Sequence, residues 1–572
     1  MAQQQATRAQ AESEAMEAAR RAAAGEGGGG GALHGGRLVA KTLASRGVRK
    51  LFTLSGGHLF SIFDGCRAEG IDLVDTRHEQ AAAWAAEGYA KATREPGVCA
   101  LTAGPGVTNG TSAIAGAQQN GSPLVVLGGR APEMRWGSGS LQEIDHVPIV
   151  GSLTKSAETV RQTARIPEAT ARAIATALEP PTGPTFLDYP LDVVFLEAEA
   201  EIPEAADRPP GPVADSAEQA ASVLAAAERP VIMAGTNLYW GRGEDELRAL
   251  AEALGIPVFL NGMGRGCLPA DHELCFSRAR GAALKGADVA LVVGVPLDFR
   301  LGFGGSFGEE TRLLQLDSAP SELAATRQPE LALVGDIAAT LAAIRESAAA
   351  ESGAGPARTR AWVSELRKTE SEKREAEKGD LADDRSPLHP LRVYAELAEV
   401  LDRDAIVIGD GGDFVSYAGR VVETYEPGCW MDPGPYGCLG AGPGQAIGAQ
   451  CAFPDRQVCL LLGDGAFGFS GLEFDTMVRH GLPVVGVVGN NGIWALEYHP
   501  MKFLYGYQVA AELQPELRYD QVIEALGGHG ELVRTPGELR PALDRAFSAG
   551  KPALVNVLTD PEVVYPRKAN LA

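Results

Sequence analysis

Two short turns in the last third of the chain carry the residue types that hold a phosphorylated ligand together with a hard cation. Gln457 to Leu462 reads as a strand and runs into Gly463-Asp464-Gly465-Ala466-Phe467. Pro483 to Val488 reads as a second strand and runs into Gly489-Asn490-Asn491-Gly492. Parallel strands bring their C-terminal ends to one crevice, so a carboxylate from one turn and an amide from the next can meet on a single ion. Asp and Asn oxygens, a backbone carbonyl and phosphate oxygens together complete an octahedral Mg2+ shell. Glycines flanking Asp464 let backbone amides approach the phosphates. Either sequence alone is an ordinary turn. The information lies in the pair, each member following a strand, with Asp464 and Asn491 standing 27 positions apart. A further strand-to-helix turn, Gly409-Asp410-Gly411-Gly412-Asp413, is suited to touch a diphosphate.

Such turns need rigid elements behind them. Short β-branched runs ending in glycine, such as Leu124 to Leu127, alternate with helical stretches such as Glu79 to Thr93. That alternation predicts parallel sheets covered by helices. With 572 residues the chain is several times the length of one domain. The expected class is α/β, with three doubly wound parallel-sheet domains. Composition shifts place a flexible N-terminal extension at 1–36, domains at 37–200, 210–345 and 386–559, a charged linker at 346–385, and a tail at 560–572.

The formal net charge is −23, which sets aside nucleic acid and an anionic membrane surface as main partners but not a locally bound phosphate. No apolar run approaches the roughly 20 residues of a membrane span, and the N-terminus lacks a signal-peptide core. The eight cysteines form no CxxC pair, as expected of reduced core residues in a cytoplasmic protein.

GDG followed by NN after just under thirty residues resembles the diphosphate-and-metal motif of thiamine diphosphate-dependent enzymes. The resemblance implies that Asp464, Asn491 and the backbone carbonyl of Ile493 hold Mg2+. It places Gly463, Gly465, Ala466, Phe467, Gly411, Gly412 and Asp413 at the diphosphate. Within Gly437-Cys438-Leu439-Gly440, Gly437 matches the carbonyl that meets the aminopyrimidine, and Leu439 the bulky residue that bends the cofactor, where many relatives carry methionine. Asp75-Thr76-Arg77-His78-Glu79-Gln80 resembles the RHEQ element of acetolactate synthases. Glu79 then matches the carboxyl that hydrogen-bonds the pyrimidine N1′, working in an apolar pocket. Leu54-Ser55-Gly56-Gly57-His58 resembles the family's PGG turn, with serine for proline, and brings Gly56 and Gly57 to the cofactor. Thr102 to Asn109 resembles the GPGxTN loop, contributing Asn109. Leu141 to His146 resembles the FQExD loop, whose glutamine, here Gln142, faces substrate. The resemblance spans about 37–560 and names the three domains pyrimidine-binding, middle and diphosphate-binding. It also implies a homodimer or homotetramer with active sites between subunits.

Two reactions fit these features. One is acetolactate synthesis from two pyruvates. The main expectation is a 2-hydroxyacyl-CoA lyase, releasing formyl-CoA and a ketone or aldehyde from a substrate such as 2-hydroxyisobutyryl-CoA. Asn490 to Trp494 resembles the NNGIY run of CoA-dependent relatives. Val295 to Gly304 resembles the strand end where CoA's adenosine binds, although Asp298 and Arg300 echo the DDR of the synthases. The tail Asp560 to Ala572 resembles one that closes over CoA. In that reading Arg265, Arg280, Arg300, Trp494, His499, Arg567 and Lys568 contact the acyl-CoA. Glu497 acts as acid/base over the cofactor, with Tyr498 and His499 as lesser candidates. CoA, ADP or a flavin could occupy the middle domain. An inactive partner is disfavoured because Glu79, Asp464 and Asn491 are all present.

Overall fold

The structure is a computed structural model describing residues 31–205, 208–323, 326–351 and 355–566. It contains three six-stranded sheets, all parallel, whose β-branched strand cores are buried on both faces as such sheets require. The first sheet runs Asp72–Asp75, Lys50–Thr53, Gly97–Leu101, Leu124–Arg130, Thr185–Pro190, Ser156–Thr159. The third runs Trp430–Met431, Ile406–Asp410, Val458–Gly463, Val485–Asn490, Ala553–Leu558, His529–Val533. Numbered along the chain, both have the order 2-1-3-4-6-5. The middle sheet runs Cys275–Phe276, Val258–Leu260, Pro230–Ala234, Val289–Val293, Arg312–Asp317, Leu331–Val334, which is the order 3-2-1-4-5-6. The three doubly wound sheets are therefore as expected, each with a hydrophobic core of its own.

An open parallel sheet offers a crevice where its strand order reverses. In the first sheet that point lies between Lys50–Thr53 and Gly97–Leu101, so the turns after Thr53 and Leu101 face each other. In the third it lies between Ile406–Asp410 and Val458–Gly463, which sets Gly411 beside Gly463. The Gly56–Gly57 turn and the Thr102–Asn109 loop sit at the first point and the Gly409–Asp413 and Gly463–Phe467 turns at the second, while the turns of Glu79 and Asn491 follow the next strands over, Asp72–Asp75 and Val485–Asn490.

Among the described residues the chain divides into two compact units. One takes the chain before Arg208 together with Gly434–Pro454 and Ser470–Leu482; the other takes Arg208–Pro433, Asp455–Phe469 and the chain from Pro483. Within the first unit the helix Ala441–Ala452 packs on the helix Glu79–Thr93 at backbone distance. A methyl on Gly448 would lie 2.0 Å from the Ala85 carbonyl oxygen, and one on Gly88 would lie 2.5 Å from Gln445 Cα. The contact also buries Glu87. Its Oε1 accepts from Asn120 at 2.9 Å and Ser122 at 3.0 Å, its Oε2 accepts from Gln445 at 2.9 Å, and Lys91 pairs with it at 3.2 Å. A buried carboxylate is tolerable only when satisfied this fully.

Two expectations need correction. Leu33–His34 pairs with Glu197–Ala198, and a helix begins at Gly35. Order thus starts before residue 37, because Gly36 packs against the backbone of Ser61 instead of serving a flexible lead-in. The charged linker is also less solvated than its composition suggests. The helix Pro356–Leu381 buries Trp362, Leu366, Glu370 and Glu377. Among the described residues no helix is long and apolar enough to cross a membrane.

Candidate active site

At the first sheet's crevice, Glu79 opens the helix Glu79–Thr93 behind an extended His78, whose Nδ1 accepts from the Gln80 N–H at 3.1 Å. Glu79 is 8% exposed, and its Oε2 accepts from the Asn109 amide at 3.0 Å. The two residues drawn from separate motifs therefore meet, and among the described residues Oε1 has no hydrogen-bond partner. Gly56 touches the opposite turn, since a methyl there would fall 2.3 Å from Thr102 Oγ1; Gly57 follows it at the start of a short helical turn. Gln142 adopts a left-handed backbone at φ 60° and packs against Gly104. The loop with Gly437 and Leu439 belongs to this same unit. Cys438, between them, lies 3.9 Å from the Gln80 amide nitrogen.

A buried chain beneath the Thr102–Asn109 loop was not legible from the motifs. The Gly104 N–H donates to His146 Nε2 at 2.9 Å, so the ring donates from Nδ1 to Asp188 at 3.0 Å. Arg130 closes the other side of Asp188 at 2.7 Å and lies over the Trp136 ring. His58 hydrogen-bonds Thr102 Oγ1 at 3.3 Å, and burial followed by the nearby His146 holds its pKa below the ordinary imidazole value.

At the third sheet's crevice, Asp464 is 3% exposed. Its Oδ1 accepts from the Gly465 N–H at 2.9 Å and its Oδ2 from the Gly492 N–H at 2.7 Å, which ties the two turns together. Asn491 Oδ1 accepts from the Ile493 N–H at 3.1 Å. Its neighbour Asn490 turns the other way, bonding Leu517 and Asn556. Gly411 and Gly412 have φ of 71° and 81°, the left-handed turn that lets the helix Gly412–Val421 begin at the strand end. Gly463 remains open, with the Gly411 carbonyl 3.6 Å from a methyl placed there. Gly465 is closed on its other side by the Trp494 ring, 2.5 Å from such a methyl. Trp494 is thus a wall of this turn. Ala466 and Phe467 are buried, the latter against Tyr519 at 4.7 Å.

Burial lifts the Asp464 carboxyl to about 6, and Asp413 adds to the rise. Burial lifts Asp413 to about 6 as well, with Glu497 adding to it. Negative neighbours in a buried pocket call for a cation, whose charge would reverse this. Among the described residues no group of three or more His, Cys, Asp or Glu side chains forms a ready-made metal cage. One carboxylate, one amide oxygen, a carbonyl and phosphate oxygens is nonetheless a donor set that suits Mg2+.

Glu497 stands in the first turn of the helix Ala495–Tyr505, close enough for its charge to act on Asp413. Tyr498 lies under the Lys502 ammonium at 5.3 Å. His499 bonds the Pro561 backbone, while its buried Nε2 has no partner among the described residues. Arg265 is buried over the Trp430 ring, bonded to the Gly419 carbonyl, and burial lowers it to about 10. Arg280 donates to the Arg300 carbonyl at 2.9 Å, and the Arg300 guanidinium is engaged by Asp298 at 2.7 and 2.9 Å. Arg265 and Arg280 line a cleft of about 690 Å³ with Arg278, Lys373, Arg420 and Pro566. Arg567 and Lys568 lie outside the described residues.

Comparison with known proteins agrees with this arrangement. Residues 33–149 match the N-terminal TPP binding domain of thiamine pyrophosphate enzymes, 217–344 the central domain, and 410–557 the C-terminal TPP binding domain. The chain is 57% identical over 544 residues to a probable acetolactate synthase of Mycobacterium bovis and to the acetolactate synthase large subunit IlvG of Mycobacterium tuberculosis, covering 94% of this chain and 98% of each relative. It is 33% identical over 577 residues to 2-hydroxyacyl-CoA lyase 2 of Caenorhabditis elegans, covering 92% of this chain and 89% of that one. The domain matches and the two motif-bearing crevices agree: the chain belongs to the thiamine pyrophosphate enzyme family, enzymes built on thiamine diphosphate-binding domains.

Proposed function

We propose that the chain condenses two 2-oxo acids in the manner of an acetolactate synthase, joining two pyruvates and releasing carbon dioxide. The observation that carries this is the 57% identity along nearly the whole of both chains, against 33% for the lyases. It reverses the preference for a lyase drawn from the Asn490–Trp494 loop, the Val295–Gly304 strand end and the tail. Bound thiamine diphosphate supplies an electron sink for breaking and making carbon–carbon bonds beside a carbonyl. Asp464, Asn491 and the Ile493 carbonyl hold Mg2+, and the Gly411–Asp413 and Gly463–Phe467 turns take the diphosphate. Glu79 exchanges a proton with the aminopyrimidine through Oε1 while Asn109 steadies Oε2. Gly437 and Leu439 seat the pyrimidine, Gln142 faces substrate, and Glu497 is the acid/base beside Asp413. The working form is a homodimer or homotetramer.

The 2-hydroxyacyl-CoA lyase reading keeps one supporting observation, the cation-lined cleft beside Pro566, which suits the phosphates of CoA or ADP. Purified protein with thiamine diphosphate and Mg2+ is given pyruvate in one vessel and 2-hydroxyisobutyryl-CoA in another. Acetolactate from the first supports the synthase. Formyl-CoA from the second, with no acetolactate, overturns it.

A further inference from the structure

The turn that delivers Glu79 is held by a stretch of chain almost four hundred positions away. Both carboxylate oxygens of Glu473 accept from the Arg77 N–H, each at 3.1 Å, and the His78 N–H also donates to that carboxylate. The Thr476 hydroxyl donates to Glu473 Oε2 at 2.7 Å. Glu473 is 2% exposed; burial pushes its carboxyl up, and these donors pull it partly back. The same segment grips the turn elsewhere. The Arg479 guanidinium donates to Asp75 Oδ2 at 2.6 Å and to the Asp75 carbonyl at 2.7 Å. His480 bonds Asp75 Oδ1 at 3.0 Å, and Arg77 pairs with Asp475 at 3.7 Å.

The Asp75 and Arg77 contacts are largely exposed and contribute little each. The Glu473 contact is different in kind. A carboxylate is costly to bury, and this one spends its acceptors on backbone N–H groups one and two residues before Glu79. Those amides precede the first helical turn, so their fixation sets where that turn starts and where its first side chain emerges. Glu473 is itself nine positions after Asp464 along the chain.

We propose that Glu473 is a positioning residue: by holding the Arg77 and His78 amides it fixes the start of the Glu79 helix and so the place of the Glu79 carboxylate. The consequence for proton exchange rests on the role proposed for Glu79; the brace itself does not.

The first measurement uses cofactor-free protein. Hydrogen–deuterium exchange is followed on peptides covering 73–84 in wild type, Glu473→Gln and Glu473→Ala. Loss of the acceptor in Glu473→Ala speeds exchange at Arg77 and His78 by roughly tenfold or more, and Glu473→Gln, which keeps one acceptor oxygen, lies between. Unchanged exchange in Glu473→Ala overturns the brace. The second measurement loads the same proteins with thiamine diphosphate and Mg2+ and follows deuterium uptake at the thiamine C2 carbon by quenched NMR. Positioning predicts roughly tenfold slower uptake in Glu473→Ala with cofactor affinity within about twofold of wild type. Accelerated amide exchange with C2 uptake at the wild-type rate overturns the positioning role. Unchanged C2 uptake in Glu79→Gln would instead overturn the Glu79 reading and leave the brace to the first measurement. If Glu473→Ala does not fold, Glu473→Gln carries the test, because it gives up one of the two oxygens that accept from Arg77; faster exchange at Arg77 and His78 than in wild type supports the brace, and wild-type exchange overturns it.

Discussion

The crevice of the first sheet and that of the third are built from the same strand order but finished differently. Around Glu79 the polar groups are settled by protein: Asn109 bonds Oε2, Glu473 takes the preceding amides, and His146 holds the Gly104 loop. Around Asp464 they are not settled in the same way. Backbone N–H groups bond both oxygens, yet the neighbouring charges acting on Asp464 and Asp413 are negative, and burial lifts both carboxyls to about 6. In the first crevice protein donors engage Glu79 Oε2 and the amides before it, whereas the acids of the third are left beside like charges that the proposed Mg2+ would offset. On the proposed function, one topology serves proton exchange in one domain and ion binding in another, according to which donors line the strand ends.

The comparison breaks most plainly at Glu79. Glu79→Gln is expected to lower turnover by about 10²–10⁴-fold while thiamine diphosphate still binds, as steady-state rates and calorimetry on one preparation would show. Asp464→Ala should do the reverse, weakening Mg2+-dependent cofactor binding by on the order of 100-fold, read as the Mg2+ concentration needed for half-maximal binding. If both variants lose binding equally, the distinction between the crevices is wrong. Asn109→Ala removes a single bond to Glu79 and should cost about tenfold in turnover, with cofactor affinity kept.

The smallest effect is a control on burial alone. Asp317, on the middle sheet, is lifted by burial to about 7. Its folded-state pKa lies above the unfolded one, so its contribution to stability is full below about pH 4 and is lost as pH rises through about 7, by up to about 4 kcal/mol. Asp317→Asn should remove that part of the decline in urea midpoints between pH 5 and 8 in cofactor-free protein. Mg2+ should leave the difference between the two proteins unchanged. A difference that vanished on adding Mg2+ would mean that the third-sheet crevice is not special in calling for a cation.

The sheets and the turns at Asp464, Asn491 and Gly411 were legible because strand and turn are contiguous, and glycine beside an acid or amide at a strand end is a local signal. Glu79 was legible by resemblance to a short motif. Glu473 was not. A glutamate in an exposed-looking helix carries no mark of an amide 396 positions earlier. The chain Gly104–His146–Asp188–Arg130 was hidden for the same reason, as was the burial of Glu87, since the partners come from separate stretches of the chain. The preference for a lyase leaned on the least constrained residues, a loop, a strand end and a tail whose basic end lies outside the described residues, and the 57% identity to acetolactate synthases supports the alternative better.

The helix contact at Gly88, Gly444 and Gly448 has a consequence for recombination. Space there is smaller than one methyl group, so neither helix can drift alone by single substitutions without the other giving way. Chimeras between relatives that cross over between residues 93 and 441 would combine helices shaped in different lineages. Such hybrids should fail more often than those that inherit both helices from one parent, whichever parent supplies the middle sheet.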